Sequence, residues 1–67
     1  MELDKYTWER VVSQLAEMLT LEATNGEAFV IDVTGSMVYT EKAQKIYDGF
    51  YDTVNIIMYN AGIDKGE

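Results

Sequence analysis

Ala28-Phe29-Val30-Ile31-Asp32-Val33-Thr34-Gly35-Ser36-Met37-Val38-Tyr39-Thr40 is the stretch that decides the fold, because the sequence on either side of it has the spacing of helix. Phe29, Ile31 and Val33 alternate with Val30, Asp32 and Thr34, the period of two expected of a strand that buries one face. Gly35-Ser36 then suits a two-residue type II′ turn, whose first central position takes glycine without steric cost. That turn sets a register in which Thr34 opposes Met37, Val33 opposes Val38, Asp32 opposes Tyr39 and Ile31 opposes Thr40. Opposed residues share a face, so Phe29, Ile31, Val33 and Val38 are expected on one side and Val30, Asp32, Met37 and Tyr39 on the other. The second side is too apolar for a monomer to leave open. A copy of the chain covering it would also shield the hairpin's unpaired edges.

Upstream, Trp8, Val11, Val12, Leu15, Met18 and Leu19, with Leu21 less regularly, fall at helical spacing and predict a helix over about 4–22. Asp4 or Thr7 can cap its start, Glu9 suits the positive end of its dipole, and Asn25-Gly26 can end it. Downstream, Thr40 is an N-cap candidate followed by Glu41. Ala43, Ile46, Tyr47, Phe50, Val54, Ile57 and Ala61 then predict a helix over about 41–61, stopped by Gly62. Residues 63–67 are expected to fray. Tyr51, Ile56, Met58 and Tyr59 lie off the main stripe, so this helix is expected to pack on two sides. The fold class that follows is α+β, one domain over 1–67 in the order α-β-β-α. Both helices should pack on the Phe29, Ile31, Val33 and Val38 side of a two-stranded antiparallel hairpin, with a homodimer covering the Val30, Met37 and Tyr39 side.

A chain of 67 residues buries a smaller share of its surface than a longer one. Small domains usually compensate with disulfides, a structural metal or self-association; without cysteine or histidine, self-association is the route left. An aromatic content of 12% is too high for a disordered segment, so the chain should fold. A net charge of −7 repels phosphate and anionic lipid, which disfavours direct nucleic-acid and membrane binding. Met1-Glu2-Leu3-Asp4-Lys5 lacks the positive start of a signal peptide, and no apolar run approaches the roughly 20 residues that span a bilayer. A cytoplasmic location is the expectation.

Phe29-Val30-Ile31-Asp32-Val33-Thr34-Gly35-Ser36-Met37 resembles the first strand and metal loop of von Willebrand factor A domains, whose Asp-x-Ser/Thr-x-Ser pattern holds a divalent ion. The resemblance implies Asp32, Thr34 and Ser36 as oxygen ligands, the donor type that hard cations prefer. It covers about nine residues, and that family needs a doubly wound sheet and further ligand loops that this chain has no length to supply. The hairpin is therefore the favoured reading and no metal or other cofactor is expected, with the Asp32, Thr34 and Ser36 loop kept as an alternative.

Asp48 and Asp52 stand one helical turn apart, as an acid and base pair would, but Glu41 and Lys45 nearby make a solvated polar face the simpler reading. There is no imidazole base, no thiolate and no zinc ligand set; Ser13 and Ser36 have no visible base, and Gly35 and Gly49 belong to no phosphate loop. An enzyme is not expected. Trp8, Tyr39, Tyr47, Phe50, Tyr51 and Tyr59 are residues favoured in cores and in binding hot spots alike. The apolar positions outnumber what one small layer can hide, so Val30, Asp32, Met37, Tyr39 and Tyr51 are the expected partner or dimer surface, with Glu9, Glu17, Asp48 and Asp52 as acidic surface. The functional expectation is a non-enzymatic protein-binding module. Its leading form is an inhibitor or regulator of a basic, nucleic-acid-handling enzyme, in the style of phage anti-defence proteins such as anti-CRISPRs, and the alternative is a homo-oligomeric structural or assembly protein.

Overall fold

Two capped helices carry the fold in a computed structural model that describes residues 1–66. The first, α1, spans Lys5–Ala23 and follows a two-residue strand β1 (Glu2–Leu3). Asp4 is its N-cap: the carboxylate accepts from the Thr7 amide at 2.9 Å and from the Thr7 hydroxyl at 2.7 Å, satisfying an amide with no intrahelical partner. At the far end Asn25 and Gly26 both take positive φ; Asn25 N–H donates to the Glu22 carbonyl at 3.3 Å and Gly26 N–H to the Leu21 carbonyl at 2.8 Å. These are the two bonds of a Schellman stop. The second helix, called α2 here, spans Glu41–Asn60 behind the Thr40 cap, whose hydroxyl accepts from the Ala43 amide at 3.0 Å. It ends in the same way at Gly62 (φ 80°), with Ile63 N–H donating to the Met58 carbonyl at 3.0 Å. The Ile63 side chain packs on the core that holds Met58, the apolar contact that usually accompanies this motif.

The helices lie antiparallel, the start of α1 against the end of α2. Trp8, Val12, Val54 and Met58 form the core there, flanked by Leu3, Val11, Tyr51 and Ile63. Trp8 Nε1 donates to Asn55 Oδ1 at 2.8 Å and its ring lies 5.2 Å from that of Tyr59. Towards the other end, Ala16, Thr20, Ala28 and Ala43 have no exposed surface at all. The Thr20 hydroxyl is satisfied there by the Ala16 carbonyl at 2.7 Å. The α1 stripe expected from hydrophobicity is thus displaced: Ala16 and Thr20 are buried while Leu15 and Leu19 are about two-fifths exposed. Small side chains let the helix axes come close, and larger ones are turned to the flank. On α2 the same rotation buries Met58, expected off the stripe, and leaves Ile57 58% exposed.

Between the helices, β2 (Phe29–Ile31) and β3 (Met37–Tyr39) form the expected antiparallel hairpin, packed against the helices in an α+β arrangement, but in a different register. Phe29 pairs with Tyr39, Val30 with Val38 and Ile31 with Met37. The closing loop is Val33-Thr34-Gly35 rather than Gly35-Ser36: Gly35 N–H donates to the Asp32 carbonyl at 3.0 Å, and Asp32 N–H to the Ser36 carbonyl at 2.9 Å. This is a type I turn followed by glycine at φ 81°, the usual three-residue hairpin loop, and Asp32 occupies the first turn position that favours aspartate. The shift from the expected register is an odd number of residues, so β3 exchanges its faces while β2 keeps its own. Phe29 and Tyr39, not Val33 and Val38, turn towards the helices. Ile31 and Met37 share their side but are exposed, Val30 and Val38 point the other way, and Val33 sits fully exposed in the loop.

The expected frayed tail is also corrected. A strand β4 (Asp64–Lys65) pairs in parallel with β1, Glu2 opposite Asp64 and Leu3 opposite Lys65, and Asp64 N–H donates to the Met1 carbonyl at 2.8 Å. The part of that expectation falling on Glu67 lies outside the described residues. Lys65 also reaches Glu9 at 3.8 Å, an exposed pair worth little. No helix among the described residues is long and apolar enough to cross a membrane.

Candidate functional site

The hairpin exposes five large apolar side chains within nine residues. Ile31 and Met37 are 64% and 67% exposed, and Val30, Val33 and Val38 are exposed as well. An isolated two-stranded hairpin is marginal in water, and this one is held chiefly at its base. There Thr40 N–H donates to the Ala28 carbonyl at 2.9 Å and the Phe29 ring stacks on Tyr39 at 4.7 Å. From Tyr39 a run of rings continues along α2, 5.1 Å to Tyr47 and a further 5.9 Å to Tyr51.

Of the residues expected at a partner surface, Val30 and Met37 are exposed on opposite sides of the hairpin, and Tyr39 and Tyr51 are half-buried in the aromatic run. They do not form the single face foreseen. The structure brings Tyr39 and Tyr51 together through Tyr47, and it brings acidic residues to the same place. Partial burial raises the Tyr39 phenol above its ordinary pKa, with Glu17 adding to the shift. Tyr47 is raised chiefly by burial, then by Tyr51, Glu17 and Asp48. Glu17 on α1 and Asp48 on α2 thus both add negative charge in the neighbourhood of Tyr47. Asp52 lies one turn beyond Asp48, and Glu9 stands apart with Lys65. The residues that sequence reasoning missed at this surface are Ile31 and Val38, assigned to the core, and Tyr47, assigned to the helix stripe. The signal that finds Val38 is Asp32-Val33-Thr34-Gly35 read as a type I turn, whereas Ile31 keeps its expected side and no local signal marks its exposure.

Asp32, Thr34 and Ser36 do come together, in a geometry that the turn accounts for. Asp32 Oδ1 accepts from the Thr34 amide at 2.8 Å, the Thr34 hydroxyl at 2.6 Å and the Ser36 amide at 3.0 Å. The Thr34 hydroxyl also lies 3.0 Å from that of Ser36. No cluster of three or more acidic side chains that could hold a cation is formed among the described residues. The bonds favour the ionised carboxylate, so the Asp32 pKa is lowered, first by the Thr34 hydroxyl and then by the Ser36 and Thr34 amides. A lowered folded-state pKa contributes stability above the ordinary aspartate value of about 3.9 and loses it as pH falls through the folded value. Asp32→Asn should therefore unfold more easily than the wild type at neutral pH, and the gap should narrow as the solution is acidified below about pH 4. Thermal melts of both proteins across that range test this, and a gap independent of pH would remove Asp32 as the loop's organiser.

A polar cavity of about 280 Å³ opens where the end of α1 meets the start of α2, lined by Thr24, Asn25, Glu27, Thr40 and Lys42 among others. Its two hydroxyls are committed to the backbone, Thr24 donating to the Thr20 carbonyl at 2.8 Å and Thr40 accepting from Ala43 as the helix cap. Comparison with protein families, curated proteins and solved structures gives no match. The surface open to a partner is an apolar hairpin beside a tyrosine run with carboxylates near it.

Proposed function

We propose that the chain is a non-enzymatic protein-binding module that uses the hairpin as an apolar anchor, and that its partner is a basic protein of the kind that handles nucleic acid. The observation that carries this reading is the hairpin's exposed apolar surface, Ile31 and Met37 above all, which contributes no burial to the chain's own fold. Exposed apolar patches of this sort mark interaction sites, and large side chains inserted into a partner's pocket supply most of the energy of many interfaces. The net charge of −7, with Glu17 and Asp48 beside the tyrosines, complements a lysine- and arginine-lined groove and draws it in from a distance. Occupying such a groove would exclude phosphate, which supports inhibition or regulation as the outcome.

The test is a partner captured from host extract, identified, purified and titrated against the wild type and against Ile31→Glu with Met37→Glu. Both positions are exposed, so the double variant should fold. It is expected to bind at least tenfold more weakly, and wild-type affinity should fall between low salt and roughly 0.5 M as charge attraction is screened. Unchanged affinity of the double variant would dismiss the hairpin as anchor, and binding indifferent to salt would dismiss the basic partner.

A further inference from the structure

We infer that the side of the helix pair turned away from the hairpin is a self-association surface, on which a second copy of this chain completes a four-helix bundle. At about 100° per residue, Tyr47, Tyr51 and Asn55 of α2 and Ser13 and Glu17 of α1 lie on the hairpin side of the helical contact. Leu15 and Leu19 of α1 and Ile46, Phe50 and Ile57 of α2 lie on the other side. Leu15, Leu19 and Ile57 are 40%, 41% and 58% exposed. The molecule is thin in consequence. Its radius of gyration is 13.6 Å, against about 11 Å for a compact chain of this length, and its smallest extent is 14 Å.

Three features select a second copy as the occupant. The first is size: helices of 19 and 20 residues are about 28 Å long, and a packed pair is roughly 18 Å wide. The face therefore offers roughly 500 Å² per protomer, and about 1,000 Å² in all is at the lower bound for a specific interface. The second is charge. Most carboxylates of this acidic chain lie elsewhere, and the charged residues that helical spacing places on this face are Glu22 and Lys42, at the same end of the helix pair. A two-fold axis parallel to the helices lays α1 on the partner's α2. Leu19 then meets the partner's Ile46, Leu15 the partner's Phe50, and Glu22 the partner's Lys42, each contact occurring twice. The third is the thinness of the fold itself, since a chain without disulfides gains from a second copy the apolar burial its own core does not provide. The association does not depend on what the hairpin binds.

Sedimentation equilibrium from micromolar to sub-millimolar concentration tests the assignment. The wild type should approach about 15 kDa, twice the chain mass of 7.6 kDa. Rising salt should strengthen the dimer by screening the repulsion between two acidic chains, the opposite of its effect on a basic partner. Leu15→Glu and, separately, Ile57→Ser should sediment as monomers with unchanged far-ultraviolet circular dichroism. Glu22→Lys should weaken the dimer several-fold, and adding Lys42→Glu should restore it. A wild type that stays at 7.6 kDa would overturn the proposal, as would a dimer that survives Leu15→Glu but is split by Ile31→Glu. Failure of the charge exchange to restore association would overturn the paired arrangement.

Discussion

Replacing Trp8 with alanine is expected to remove about 3–5 kcal/mol of stability, the range for deleting a large aromatic from a packed core. The expected total for a chain of this size is roughly 3–10 kcal/mol, so the variant should be largely unfolded or close to it. Trp8 is 1% exposed and is the largest fully buried side chain, packed with Val12, Val54 and Met58 and tilted against the Tyr59 ring. Its indole N–H also fixes the Asn55 side-chain oxygen at 2.8 Å, while the Asn55 amide donates to the Tyr51 carbonyl at 3.0 Å. The residue therefore ties α1 to α2 by both packing and a directed bond. Trp8→Phe keeps a ring but leaves the Asn55 oxygen without its donor, and should fall between the two at a cost of about 1–3 kcal/mol. Urea unfolding of the three proteins separates these contributions. An alanine variant with a midpoint near the wild type's would mean that the core is organised around other residues.

What could be read from the sequence divides by the range of the interaction. Asp4, Thr40, Asn25-Gly26 and Gly62 are legible as helix ends because caps are satisfied within a few residues, and the structure uses all of them. The hairpin was legible as a hairpin, but its register was not, because Gly35 serves equally in a Gly-Ser turn and in a type I turn opened by Asp32. The carboxylate decides between them: three hydrogen bonds to Asp32 Oδ1 stabilise the second loop and nothing comparable stabilises the first. That one choice moves Val38 from the expected core to the other side of the hairpin and Tyr39 from the expected surface to its base, while Ile31 keeps its expected side and is exposed all the same. Pairing of β1 with β4 has no period to detect in two residues; it exists because the antiparallel helices bring residues 2–3 beside residues 64–65. The choice of Ala16 and Thr20 over Leu15 and Leu19 was hidden for a similar reason, since hydrophobicity favours leucine and only the closeness of the helix axes favours the smaller side chain.

Ala43→Leu tests that last point and should destabilise the protein by about 1–3 kcal/mol, the cost of forcing extra methylenes into a filled site. Alanine and leucine are both strong helix formers, so intrinsic propensity accounts for little of the change. Ala43 has no exposed surface, and Ala16, Thr20 and Ala28 around this end of the molecule have none either. Its amide is held by the Thr40 cap, which fixes the first turn of α2 and prevents it from swinging outward to make room. The added side chain must then push the helices apart or lift the base of the hairpin, which loosens the stacking of Tyr39 on Phe29 and its contact with Tyr47. Loss of tyrosine near-ultraviolet dichroism should therefore accompany a melting point lowered by about 4–8 °C per kcal/mol, while the Trp8 end stays intact. Lys45→Leu, two residues further along the same helix and exposed, should change stability by no more than about 0.5 kcal/mol. Combining Ala43→Leu with Thr20→Ala should recover part of the loss, because both changes act on one limited space. Equal stability of Ala43→Leu and the wild type would show that the helices do not meet closely there, and the exposure of Leu15 and Leu19 would then need another cause.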